Sequence, residues 1–110
     1  MPGYVGTLLD VDDPTKFREY VRAVAPTLAK YGGRVALRGP ITEVVEGSLD
    51  VKDDTRLVML EFESLDAARR WYESDEYRPL IAMREEISDT TAFFVEGLEL
   101  RTPQAAGSAP

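Results

Sequence analysis

The stretch TRLVMLEFESLDAARRWY, residues 55–72, decides the fold. Its first half reads as a strand, TRLVMLEFE (55–63), in which Leu57 and Met59 point to one side and Val58, Leu60 and Phe62 to the other. Both sides are apolar, so this strand is predicted to be central in a sheet that is buried on both faces. Ser64 follows as a helix cap. The helix it opens is read as running to about Ser74, with Leu65, Ala68, Trp71 and Tyr72 turned inward.

Toward the N-terminus, GYVGTLLDV (3–11) alternates as a strand. Asp13 then caps a helix that has Pro14 at its first position. Phe17, Tyr20, Val21, Val24, Leu28 and Tyr31 form one apolar stripe along it. Pro26 is predicted to kink or divide this helix, and Gly32-Gly33 to end it. RVALRGPITEVVEG (34–47) reads as a strand interrupted by a bulge or bend at Gly39-Pro40, before the polar connection SLDVKDD.

Toward the C-terminus, a further helical stretch begins near Pro79, where Leu80, Met83, Arg84 and Ile87 share a face. TTAFFVEGLEL (90–100) is the last strand, and RTPQAAGSAP (101–110) reads as a disordered tail. The order β-α-β-β-α-β, with a helical elaboration before the last strand, predicts one α+β domain over residues 1–100. Its architecture is a ferredoxin-like sandwich with helices on one sheet face. No sequence remains to cover the other face, so a homodimer packed sheet to sheet is expected.

Composition narrows the function. Of 110 residues, 44% are hydrophobic and 30% charged, as in an ordinary globular domain. Thirteen Lys and Arg against twenty Asp and Glu leave a net charge of −7, which argues against nucleic acid and anionic membranes as partners. No apolar run approaches the ~18 residues of a membrane span, and Met1-Pro2-Gly3 begins no signal peptide, so a cytoplasmic location is expected. Cys and His are both absent. That excludes disulfides, thiolate nucleophiles, Cys/His zinc sites, His-ligated haem and the commonest general base. Chemistry is left to carboxylates, Tyr, Lys, Arg, Ser/Thr, backbone groups or a bound cofactor. No EF-hand loop or glycine-rich phosphate fingerprint appears, and no metal or cofactor is expected.

The segments YGGRVALRG (31–39), EVVEG (43–47), RLVMLEFESLDAARRWYESDEYRPLIAMR (56–84) and FVEG (94–97) resemble an uncharacterised family, a domain of unknown function within the dimeric α/β-barrel superfamily. The family reads Arg-Gly-Gly where this chain has Arg38-Gly39-Pro40, and Ser-Pro-Glu-Tyr where it has Ser74-Asp75-Glu76-Tyr77. The resemblance implies a ferredoxin-like subunit dimerised into a β-barrel. It supplies no activity, because the superfamily spans cofactor-free monooxygenases, isomerases, polyketide cyclases, lyases and haem enzymes.

Arg84 is the most informative single residue, since an arginine on an apolar helix face must be paired or face a ligand. It reads either as the anchor of a carboxylate, enolate or phosphate, or as a structural ion pair with a residue such as Glu61. Arg38, at a strand end, is a candidate stabiliser of an anionic intermediate. Tyr77 shares the Arg84 face and is a candidate general acid. Glu61 and Asp10 are the candidate bases, with Glu61 alternatively paired to Arg38 or Arg84. Tyr20, Trp71 and Tyr72 are candidate pocket walls for a flat organic molecule, and Trp71 reads more simply as core.

The leading expectation is a cofactor-independent enzyme that acts on a small anionic or enolisable molecule by isomerase, cyclase or lyase-type chemistry, in secondary metabolism or catabolism. A carrier that binds without catalysis and an assembly subunit are the alternatives. A free carboxylate or Tyr hydroxyl in a cavity marks the enzyme. An apolar lining without a base marks the carrier, and a filled core the assembly subunit.

Overall fold

The computed structural model describes residues 1–98. The chain runs β1 (Gly3–Val11), α1 (Pro14–Lys30), β2 (Arg34–Pro40), β3 (Thr55–Phe62), α2 (Leu65–Tyr72), α3 (Arg78–Ile87) and β4 (Ser88–Glu96). The four strands form one antiparallel sheet in the order β2-β3-β1-β4. This is the ferredoxin-like α+β arrangement, with α3 as the extra helical segment. The reading of residues 99–110, including the tail at 101–110, lies outside the described residues.

Local signals placed most boundaries. The Asp13 carboxylate accepts from the Lys16 amide, and the Ser64 hydroxyl from the Ala67 amide, so both helices start where their caps stand. Beyond α1, Gly32 takes a φ of 73°, a turn that an L side chain resists. Pro26 does not divide α1, which runs unbroken from Pro14 to Lys30. It lies on the exposed side, where water can satisfy the Arg22 carbonyl that Pro26 has no N–H to meet. β2 ends at Pro40, and residues 41–47 form no strand. The predicted irregularity at Gly39-Pro40 sits instead at Ala36, where the register to β3 shifts between Val35 and Leu37.

That bulge has a geometric effect. Val35 pairs with Leu60 and Arg38 with Val58, so both face the helices, while Leu37 pairs with Met59 on the opposite face. The helix side of the sheet carries Val5, Leu9, Leu60 and Phe62, packed on Phe17, Val24 and Leu28 of α1, Ala68 and Trp71 of α2, and Ile87 of α3. The other face presents Leu8, Leu37, Leu57, Met59, Phe93 and Val95, and no described helix covers it. Leu37, Phe93 and Val95 are exposed there. Gly6 lies under the Phe93 ring, and a Cβ on it would come within 2.2 Å of that ring.

Candidate functional site

Three of the residues singled out in the sequence come together beneath α1. Tyr77 stands at the start of α3, its amide donating to the Ser74 hydroxyl, which in turn donates to the Trp71 carbonyl. Two turns along α3, the Arg84 Nη1 donates to the Tyr77 hydroxyl at 3.0 Å. The Tyr77 hydroxyl meets the Tyr20 hydroxyl of α1 at 2.7 Å. Tyr77 is 1% exposed and Arg84 5%. Trp71 stacks on Tyr77 with ring centroids 4.0 Å apart, and its Nε1 donates to the Thr27 hydroxyl. Trp71 therefore belongs to the core. Tyr72 packs against the same ring at 5.7 Å.

The electrostatics of this chain of groups are unusual. Among the described residues Arg84 forms no salt bridge, and its Nε is buried without a hydrogen-bond partner. Burial disfavours its charge, yet the Tyr77 and Tyr20 hydroxyls beside it hold its pKa above the ordinary arginine value. Burial pushes the Tyr20 phenol well above the usual tyrosine range, with the neighbouring Tyr77 adding to the effect, and burial raises the Tyr77 phenol as well. Both hydroxyls stay protonated at neutral pH, so they serve as hydrogen-bond groups and not as bases.

Tyr20 also lines a cavity of about 70 Å³ between α1 and the sheet. The rest of its wall is apolar, from residues such as Phe17, Val24, Leu28, Val58 and Leu60, and Arg38 is its one charged member. The bulge at Ala36 is what turns Arg38 to this side. Sequence reading took Phe17, Val24 and Leu28 as plain core, because a stripe at helical spacing does not show where packing leaves a gap.

The remaining candidates lie elsewhere. Glu61 sits on the opposite face of the sheet, paired with Arg34 and accepting from the Tyr4 hydroxyl at 3.2 Å. The expected pairing with Arg38 or Arg84 is therefore corrected: strand alternation puts Glu61 across from both. Asp10 accepts from the Thr55 hydroxyl and lies 3.6 Å from the Lys52 ammonium, at the far end of β1. Among the described residues no carboxylate lines the cavity. Among the described residues no three His, Cys, Asp or Glu side chains are grouped to hold a metal ion.

No curated protein matches the chain. Solved structures do. A protein of unknown function from Rhodopseudomonas palustris superposes with a TM-score of 0.70 at 19% identity, over 90% of this chain and 84% of its own. SnoaB, a cofactor-independent oxygenase from Streptomyces nogalater, gives 0.66 at 15% identity, over 90% and 95%. A dimeric ferredoxin-like protein of unknown function from Thermobifida fusca gives 0.60 at 16% identity, over 88% and 92%. These likenesses show the fold. No described helix is long and apolar enough to cross a membrane. The family model described as "Domain of unknown function (DUF1330)" matches residues 2–98, so the chain belongs to that family.

Proposed function

We propose that the chain binds a small anionic or enolisable organic molecule in the cavity between α1 and the sheet, and acts on it without a cofactor by stabilising its anionic form. The observation that carries this reading is Arg84: a buried guanidinium with no carboxylate partner among the described residues, linked through the Tyr77 hydroxyl to Tyr20 on the cavity wall. A buried positive charge without a counter-charge favours negative charge placed nearby, and the hydroxyl chain extends that influence to the cavity. Because no carboxylate among the described residues lines the cavity, the substrate itself must be acidic enough to lose its proton to solvent water. Enols and phenols meet that requirement, and acid–base steps of isomerase, cyclase or lyase type follow from their anions. The likeness to SnoaB, described as a cofactor-independent oxygenase, adds reaction of such an anion with oxygen to the candidates.

The working unit in this reading is a homodimer. The row Leu8, Leu37, Leu57, Met59, Phe93 and Val95 gives the outer face an apolar centre, and one structural neighbour is described as dimeric.

The test uses a coloured phenol or enol with a pKa near neutrality. Its ionised fraction is followed spectroscopically as wild type, Tyr20→Phe and Arg84→Met are added. Wild type should lower the apparent pKa of the bound probe, and Arg84→Met should abolish that shift while still binding. An unshifted pKa on the wild type would sink the reading. The carrier reading is favoured by the missing base and differs in one respect: a bound enol is released unchanged after prolonged incubation in air.

A further inference from the structure

In a chain of net charge −7, four arginines gather at one depression. Arg18 and Arg22 stand one turn apart on α1, where i and i+4 share a face. Arg38 and Arg56 come from the helix-facing side of β2 and β3: Arg38 pairs with Val58 and Pro40 with Arg56, which makes the two arginines diagonal neighbours. Together with Pro14, Phe17 and Val21 they line a hollow of about 400 Å³ in whose wall no described residue is acidic. Phe17, Val21 and Arg38 also line the apolar cavity, so the hollow adjoins it.

The charges are incompletely neutralised. Arg56 is bonded to Asp54 at 2.6 Å and lies 5.1 Å over the Phe17 ring, which fixes it at the floor of the hollow. Arg18 reaches the Thr15 hydroxyl at 3.4 Å. Neither Arg22 nor Arg38 has an acidic partner among the described residues. Like charges converging without counter-charges repel one another, and a bound anion relieves that repulsion. A single carboxylate would neutralise one arginine. Three incompletely neutralised guanidiniums around one hollow suit a doubly charged group with several acceptor oxygens, the geometry of a phosphate monoester.

We infer that the hollow is a head-group site for a phosphate monoester, held by Arg18, Arg22, Arg38 and Arg56, with the apolar end of the molecule entering the adjoining cavity. The second half of this inference rests on the proposed function of that cavity. The acidic balance of the chain as a whole disfavours an anionic lipid surface as the source of the phosphate, so the ligand is a soluble monoester.

Calorimetric titration with hexyl phosphate, inorganic phosphate and hexanol tests it at one low ionic strength. The proteins are wild type, Arg22→Ala, and Arg70→Ala as a control that removes one charge from an exposed site on α2. Arg22→Ala should weaken hexyl phosphate and inorganic phosphate roughly tenfold. It should leave hexanol unchanged, and Arg70→Ala should match wild type. Hexyl phosphate binding no tighter than hexanol, or Arg22→Ala behaving like Arg70→Ala, overturns the inference and leaves the cavity reading standing. Phosphate binding that depends on Arg22 but gains nothing from the hexyl chain supports the head-group site and overturns the entry of the apolar end into the cavity.

Discussion

Replacing Tyr77 with Phe removes one oxygen and strands two groups. That oxygen accepts from Arg84 at 3.0 Å and bonds to Tyr20 at 2.7 Å, and Arg84 is 5% exposed with its Nε already unpartnered. A buried charged donor deprived of its acceptor costs roughly 3 kcal/mol, because its desolvation is no longer offset. In a domain of this size that is a fall in Tm of roughly 12–24 °C. Tyr20→Phe removes an oxygen too, but leaves the Arg84–Tyr77 bond intact, so its cost should be about 1 kcal/mol. The decisive variant combines Tyr77→Phe with Arg84→Met. It replaces both partners by apolar groups of similar length and should recover at least ~1 kcal/mol relative to Tyr77→Phe alone. Urea denaturation at one fixed protein concentration measures all of these, with unchanged m-values required for the comparison. The reasoning is refuted by a Tyr77→Phe no costlier than Tyr20→Phe, or by a double variant whose loss equals the sum of its two single losses.

Three further outcomes are expected. Wild type should sediment as a dimer and Met59→Glu, at the centre of the apolar face opposite Gly6 and Leu37, as a monomer; a monomeric wild type would end the sheet-to-sheet argument. Gly3→Ala should cost about 2 kcal/mol in chemical denaturation, because its Cβ would lie 2.4 Å from the Leu65 backbone, which cannot swing aside as a side chain can; a neutral result would contradict that close approach. Lys30 and the Tyr31 hydroxyl hold the Glu76 carboxyl down to about 2, from an ordinary 4.5. A folded-state pKa below the unfolded one stabilises above the unfolded value, and that contribution is lost as pH falls from 4.5 toward 2. Glu76→Gln should accordingly flatten the stability profile in that window and leave its shape above pH 6 unchanged, and an equally steep acid limb in the variant would exclude this pair as its cause.

What the sequence disclosed was carried by short-range signals. Asp13-Pro14 and Ser64 act within one turn of themselves, so both helix starts were legible, as were the alternation of β3 and the shared face of Tyr77 and Arg84. The partner of Glu61 was not, because it depends on cross-strand register, and the adjoining arginine is Arg34 and not Arg38. The bulge at Ala36 was hidden for a related reason. Gly39-Pro40 carries every local sign of irregularity, whereas Ala36 carries none, and only pairing with β3 reveals the extra residue. Arg18 and Arg22 carry no signal in the sequence, because only laying α1 against β2 and β3 brings Arg38 and Arg56 beside them.

The two outermost strands of the sheet differ in how they meet other chains. β2 is poorly suited as a template for further pairing: the bulge twists it, Arg34 and Arg38 load it with charge, and Pro40 removes a donor. β4 has no bulge or proline, its charges Asp89 and Glu96 stand only at its ends, and its run Thr90–Val95 is uncharged, with Phe93 and Val95 exposed. Strand-to-strand growth is therefore disfavoured at one border and open at the other. The same asymmetry assigns a hazard: β4 is the border to which an extended peptide can add as a further strand, and the uncharged run Thr90–Val95 is where aggregation would begin.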